Sequence, residues 1–142
     1  MKKLTGRTKL LLLLLLTTTT VWCVNCAKQR PELRAGGLYS VDDGDGTFSV
    51  VKILVLDDSA VHIAIYVNKF PTRPTTIDPS ALTFGSIDDE NVEDEGIGMM
   101  HLPLSREVFE RDRPVFISQT SVTAEELEGY NMWKEAGADV FR

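Results

Sequence analysis

Beyond Ala27 the chain contains no cysteine; its only two are Cys23 and Cys26. Their absence from the body excludes a structural disulfide or a cysteine-ligated zinc site there. Small exported domains often use such cross-links, so this one must hold together through its apolar core, feasible for about 115 residues. Histidine is scarce, limited to His62 and His101, and glycine-rich phosphate loops and internal repeats are missing. Basic charge is also short. From Ala27 onward 11 Lys and Arg face 21 Asp and Glu, a net charge of −10 against −6 for the whole chain. Such a body repels phosphate backbones and anionic head groups, which argues against nucleic acid and leaves solubility, or attraction to a basic protein partner, as the role of the charge.

What is present is concentrated at the start. Lys2, Lys3, Arg7 and Lys9 precede an unbroken leucine run, Leu10 to Leu16, and no charged residue occurs between Leu10 and Ala27. Cations that stay at the cytoplasmic face, followed by leucines that partition into the bilayer, form the pattern of an export segment. Three endings are open. Cleavage could fall at Ala27 or Lys28. Acylation could fall on Cys26 or Cys23 as in a lipoprotein, although Asn25 and Trp22 stand where a small residue is usual. Retention as an anchor would use an uncharged stretch of 18 residues, near the length that spans a bilayer. Each places the body outside the cytoplasm, membrane-associated or secreted. Cys23 and Cys26 also have C-x-x-C spacing, but no βαβ unit surrounds them to make a redox site.

The expected organisation is an export segment at 1–27, a linker at 28–36 containing Pro31 and ending at the glycine pair Gly36-Gly37, and one domain at 37–142. Strands are predicted at Gly37 to Val41, Phe48 to Leu56, Ala60 to Phe70 and Pro114 to Gln119, with a further short strand at Ala81 to Phe84. Asp42 to Thr47 is a turn rich in residues that accept positive φ. Ser105 suits a helix N-cap, with the helix running to Arg111 and stopping before Pro114. Thr123 and Glu126 make a capping box, with Val122 and Leu127 as its hydrophobic staple, and Gly137 ends that helix. Leu127, Tyr130 and Trp133 share one face, suited to packing on the sheet. The fold class is α+β: an antiparallel β-meander of four or five strands, open or curled towards a barrel, with two helices packed on one side.

Chemistry is sparse. His62 lies in a strand alternation and reads as a hydrogen-bonded core imidazole. His101, read as preceding a proline turn, is four residues from Ser105, but no strained turn presents that hydroxyl as a nucleophile. Asp42, Asp43 and Asp45 are calcium candidates because hard cations take carboxylates, yet they do not fit the EF-hand spacing. Asp88, Asp89, Glu90, Glu93, Asp94 and Glu95 form an acidic run suited to contact with a basic partner. No catalytic residue and no cofactor is implied.

Gly98, Met99, Met100, His101, Leu102, Pro103, Leu104 and Ser105 resemble, together with Phe109, Pro114, Val115 and the segment Glu125 to Tyr130 with Trp133 and Ala136, a pattern in short bacterial proteins without an established activity. That resemblance covers about Gly37 to Phe141 and brings no functional residue with it. The first hairpin is loosely similar to small barrel-like immunity proteins of bacterial toxin systems, which would imply an inhibitor of a basic toxin. The leading expectation is an exported, membrane-tethered binding or accessory domain without catalysis. An immunity-type inhibitor and a hydrolase using His101 and acidic residues are the alternatives.

Overall fold

A computed structural model describes residues 32–58, 60–85 and 98–142. Five strands form one antiparallel sheet: β1 Gly37–Asp42, β2 Phe48–Leu56, β3 Ala60–Phe70, β4 Met99–Ser105 and β5 Val115–Gln119, in the order β4-β3-β2-β1-β5. Two helices, α1 Arg106–Arg111 and α2 Glu128–Ala136, complete the α+β fold. Consecutive pairing of β1 to β4 is the expected meander. The turn between β1 and β2 is made by Gly44 and Gly46 at positive φ, with Asp42 and Asp45 accepting hydrogen bonds from the main-chain N–H of Gly44 and Thr47. The sheet stays open instead of closing into a barrel, because β4 and β5 are separate edges. Register shifts in β2, β3 and β1 bend it.

The fifth strand is not the one the sequence suggested. Residues 82–85 run beside β3 without forming a strand, after a single 3₁₀ turn at Pro79–Ala81. Val67 N–H donates to the Thr83 carbonyl at 2.9 Å, but the return bond goes from Thr83 N–H to the Asn68 side-chain carbonyl. A side-chain amide has taken the place of a main-chain partner, so no ladder is built. The true strand is Met99–Ser105, which contains Pro103. Lacking an N–H, Pro103 is tolerable there because β4 is an edge. His101 therefore lies within a strand, not ahead of a turn.

Strand alternation gives the sheet two unlike faces. One carries Tyr39, Val41, Val51, Ile53, Val61, Ile63 and Leu104, packed with Phe109 of α1 as the main apolar cluster. The opposite face carries Lys52, His62, Ala64 and, by its register on β4, His101. Phe109 packs on the first face, whereas Tyr130 and Trp133 of α2 contact His62 on the second. The helices thus flank opposite faces and do not share a side. Odd and even positions of β3 each need cover, and each helix supplies it to one set.

Local signals explain the helix ends. Ser105 Oγ accepts from Val108 N–H, and α1 runs to Arg111 as expected. The capping box also forms: Thr123 N–H donates to Glu126 Oε2, and Glu126 N–H to Thr123 Oγ1. It encloses a tight turn closed by Leu127 N–H to Ala124 O, so α2 begins at Glu128, later than the box alone suggests. Gly137 adopts the left-handed conformation (φ 61°), and Ala138 N–H reaches back to Trp133 O.

Residues 32–36, expected to belong to a linker, are docked. Leu33 packs against the core, and the buried Tyr39 hydroxyl donates to Glu32 O and accepts from Arg34 N–H. Phe109 is 1% exposed, packs edge-on against Tyr39 and shares the core cluster with residues of four strands. Its truncation, Phe109→Ala, should cost about 3–5 kcal/mol. Urea unfolding should show that loss as a lower midpoint with little change in slope.

Candidate functional site

The polar face of the sheet holds the chain's two histidines together. His62 Nδ1 and His101 Nε2 are 3.1 Å apart, and His62 Nε2 is 3.2 Å from Asp57 Oδ2. The rings lie within 9° of parallel with centroids 5.3 Å apart. That separation is close to the N···N distance plus one ring radius on each side, so the imidazoles meet edge to edge through a hydrogen bond. Asp57 is held by the β2–β3 turn, where its other oxygen accepts from Ala60 N–H at 2.6 Å. An ionised carboxylate only accepts, so the proton facing Asp57 is assigned to His62 Nε2, and His62 Nδ1 to accepting from His101 Nε2–H. The result is a chain of three groups, Asp57–His62–His101, with a lone pair left at His101 Nδ1.

Helix α2 closes over this chain. Tyr130 and Trp133 stand edge-on to His62, with centroids at 4.8 and 4.6 Å. Gly129 lets the helix approach, since a Cβ there would lie 2.6 Å from His101 Cβ. A second anchor is Lys52, whose ammonium, 7% exposed in its side chain, donates to Glu126 Oε1 at 2.6 Å and to Ser121 O at 2.8 Å. Burial would raise the Glu126 carboxyl, but the Lys52 hydrogen bond, the Thr123 N–H and the Lys52 charge together hold it below its ordinary value. Tyr66 stacks on Phe84, and burial, with the Glu126 charge, pushes its phenol up to about 12. It is a proton holder at neutral pH.

Chemically, Asp57–His62–His101 could pass a proton, but hydrolysis also needs a nucleophile. Ser105 is not one: it is four residues along β4 from His101, about 13 Å at the rise of an extended strand, and it caps α1. Nor do the calcium candidates make an open cradle. Asp43 accepts from Ser49, Thr47 and Lys69; Asp45 from Thr47; Asp42 from Gly44 N–H. Among the described residues no three His, Cys, Asp or Glu side chains are grouped to hold a metal ion. The lipidation candidates Cys23 and Cys26, and the acidic run Asp88 to Glu95, lie outside the described residues.

The apolar face offers the other arrangement. α1 has only six residues and covers one end of it, leaving a cavity of about 410 Å³. Val41, Val51, Ile63, Ile65, Leu102 and Leu104 line its floor, and Val108 and Phe109 make a wall. Asp42, Asp43, Asp112, Ser49 and Lys69 supply the polar lining.

Lys52 is the one charged residue of β2, and its partly buried partner, Glu126, lies 74 positions away, where nothing local in the sequence marks it. The sequence missed the imidazole pair, although Leu102 and Leu104 alternating with His101 and Pro103 carry the strand signal. His101 is held below the ordinary histidine value, first by burial and then by His62. The unfolded chain therefore takes up this proton first as pH falls, and the stability tied to neutral His101 is present above about pH 6.5 and lost below it. His101→Gln keeps a donor towards His62 without titrating. Thermal melts should show a smaller loss of stability between pH 7 and pH 5 in the variant than in the parent; equal slopes would contradict the assignment.

Comparison with protein-family models, curated proteins and solved structures finds nothing that matches this chain, so its function has to be read from these two arrangements.

Proposed function

We propose that this protein is an exported, membrane-tethered binding domain without catalytic activity, and that its ligand site is the open cavity on the apolar face of the sheet. The cavity is the observation that carries the reading. Its volume of about 410 Å³ falls in the range of small-ligand sites, roughly 300–1,000 Å³, and its aliphatic floor with a few polar groups is the usual make-up of one. The imidazole pair has a structural task in this reading. Both His62 nitrogens and His101 Nε2 are committed to hydrogen bonds, and the rings support α2. Export and tethering are supported by the four cations ahead of Leu10 to Leu16 and by Cys23 and Cys26 at the end of the apolar stretch.

Two measurements test this. In methyl NMR spectra, a short neutral alcohol such as hexanol should shift the signals of Val41, Ile65 and Leu102, and Ile65→Trp, which fills the cavity, should abolish the response. Shifts confined to the α2 side would sink the assignment. For the tether, intact mass of the protein from the membrane fraction should show loss of the leader and acyl groups on Cys26 or Cys23; an unmodified full-length mass would remove the lipid anchor.

A further inference from the structure

We infer that the ligand of this cavity is a small amphipathic amine, its aliphatic part lying on the sheet and its ammonium against Asp112. The inference rests on the cavity being the binding site and adds the chemistry of what enters it.

The aliphatic floor sets half of the ligand. The lining contributes Val, Ile and Leu side chains from β1, β2, β3 and β4, so the part of the ligand lying on them gains by leaving water. The polar lining sets the other half. Three carboxylates and one ammonium, those of Asp42, Asp43, Asp112 and Lys69, line the cavity, and they are not equally engaged. Asp43 is saturated by Ser49, Thr47 and Lys69, the last at 2.8 Å. Lys69 is committed in turn, to Asp43 and to Ser49 Oγ at 2.7 Å. Asp42 accepts from Gly44 N–H and faces Arg113 at 3.4 Å.

Asp112 differs from both. Its main chain is used, capping α1 and accepting from Asp42 N–H, but among the described residues its carboxylate accepts no hydrogen bond and joins no ion pair. The adjacent Arg111 pairs with Glu107 instead, at 3.8 Å. Burial raises the Asp112 carboxyl; the charge of Arg111 lowers it, and those of Asp43 and Asp42 raise it, leaving it above its ordinary value. A partly buried carboxylate at the cavity rim that no described protein group engages is open to a donor cation, and the bond it makes there is charge-assisted. A carboxylate ligand would meet the same three acids with no uncommitted cation in the lining to receive it. An alcohol would fill the floor and leave Asp112 as it is. The occupant is a small molecule in preference to a partner's lysine, because the cavity is several times larger than one lysine side chain.

The test compares hexylammonium, hexanol and hexanoate by calorimetry on the full-length protein in nanodiscs at low salt, with empty nanodiscs as the blank. Hexylammonium should bind about tenfold more tightly than hexanol, the scale of one charge-assisted hydrogen bond, and hexanoate more weakly than either. Asp112→Asn should bring hexylammonium down to the level of hexanol. Lys69→Gln, which frees Asp43, should move it the other way, so the inference does not depend on one variant folding. Equal binding of hexylammonium and hexanol, or no effect of Asp112→Asn in a protein with an unchanged melting temperature, would overturn the inference and leave the site standing. Binding of none of the three would overturn the site itself. Tighter binding of a lysine homopeptide than of hexylammonium would overturn the small amine in favour of a basic protein segment.

Discussion

Lys52 sits in the middle of a central strand with its ammonium almost out of water, and a charge so placed must be met by an opposite one. Much of the polar face follows from that demand. Glu126 answers it and is held in place by Thr123 through the capping box, so the segment before α2 is fixed over β2. Once the segment is fixed there, the helix that follows lies across β3 and β4. Tyr130 and Trp133 then come down on His62, and Gly129 passes close against His101. Removing only one partner of the Lys52–Glu126 pair would strand the other, a loss on the order of 3–5 kcal/mol for buried pairs. The same helix is held by aromatic contacts to a hydrogen-bonded imidazole pair, so its position has two independent supports.

The strands with strong alternation or continuous apolar character, β2 and β3, were legible to the residue, as were the Ser105 cap and the Gly137 stop. Each depends on neighbours within a few positions. What failed was non-local. Pro103 reads as a breaker because a sequence does not say which strand will be an edge, and only an edge position makes proline harmless. Asn68 removed the expected strand at Ala81 to Phe84 by donating to Ala81 O and accepting from Thr83 N–H, bonds made across 13 and 15 positions. The helices lie on opposite faces because β3 exposes alternate residues to each, and helical periodicity alone does not say which face a helix will meet.

Two stretches that stood out as a pattern, Gly98 to Ser105 and Glu125 to Trp133, turn out to touch. His101 from the first packs against Gly129 and the aromatic rings of the second, and Glu126 joins them to Lys52. The pattern therefore describes a packing contact between β4 and α2. The cavity has no such signature. Four of its six floor residues, Val41, Val51, Ile63 and Leu104, also belong to the core cluster that contains Phe109, so nothing in the sequence sets them apart. The cavity exists because a helix of six residues is too short to cover a five-stranded face.

The position of the cavity relative to the first described residues bears on the proposed arrangement. The described residues begin at Glu32, and Glu32 and Arg34 are fastened to the Tyr39 hydroxyl near the start of β1. Asp42 and Asp43, which line the cavity, lie at the other end of the strand, about 17 Å away at the usual rise per residue. In the proposed tethered arrangement, the acidic lining would be displaced along the sheet from residues 32–34. Such a lining would suit the proposed ligand, a cation with a short apolar part: the acidic body would attract it at long range, and the aliphatic residues would retain it once its charge had been placed.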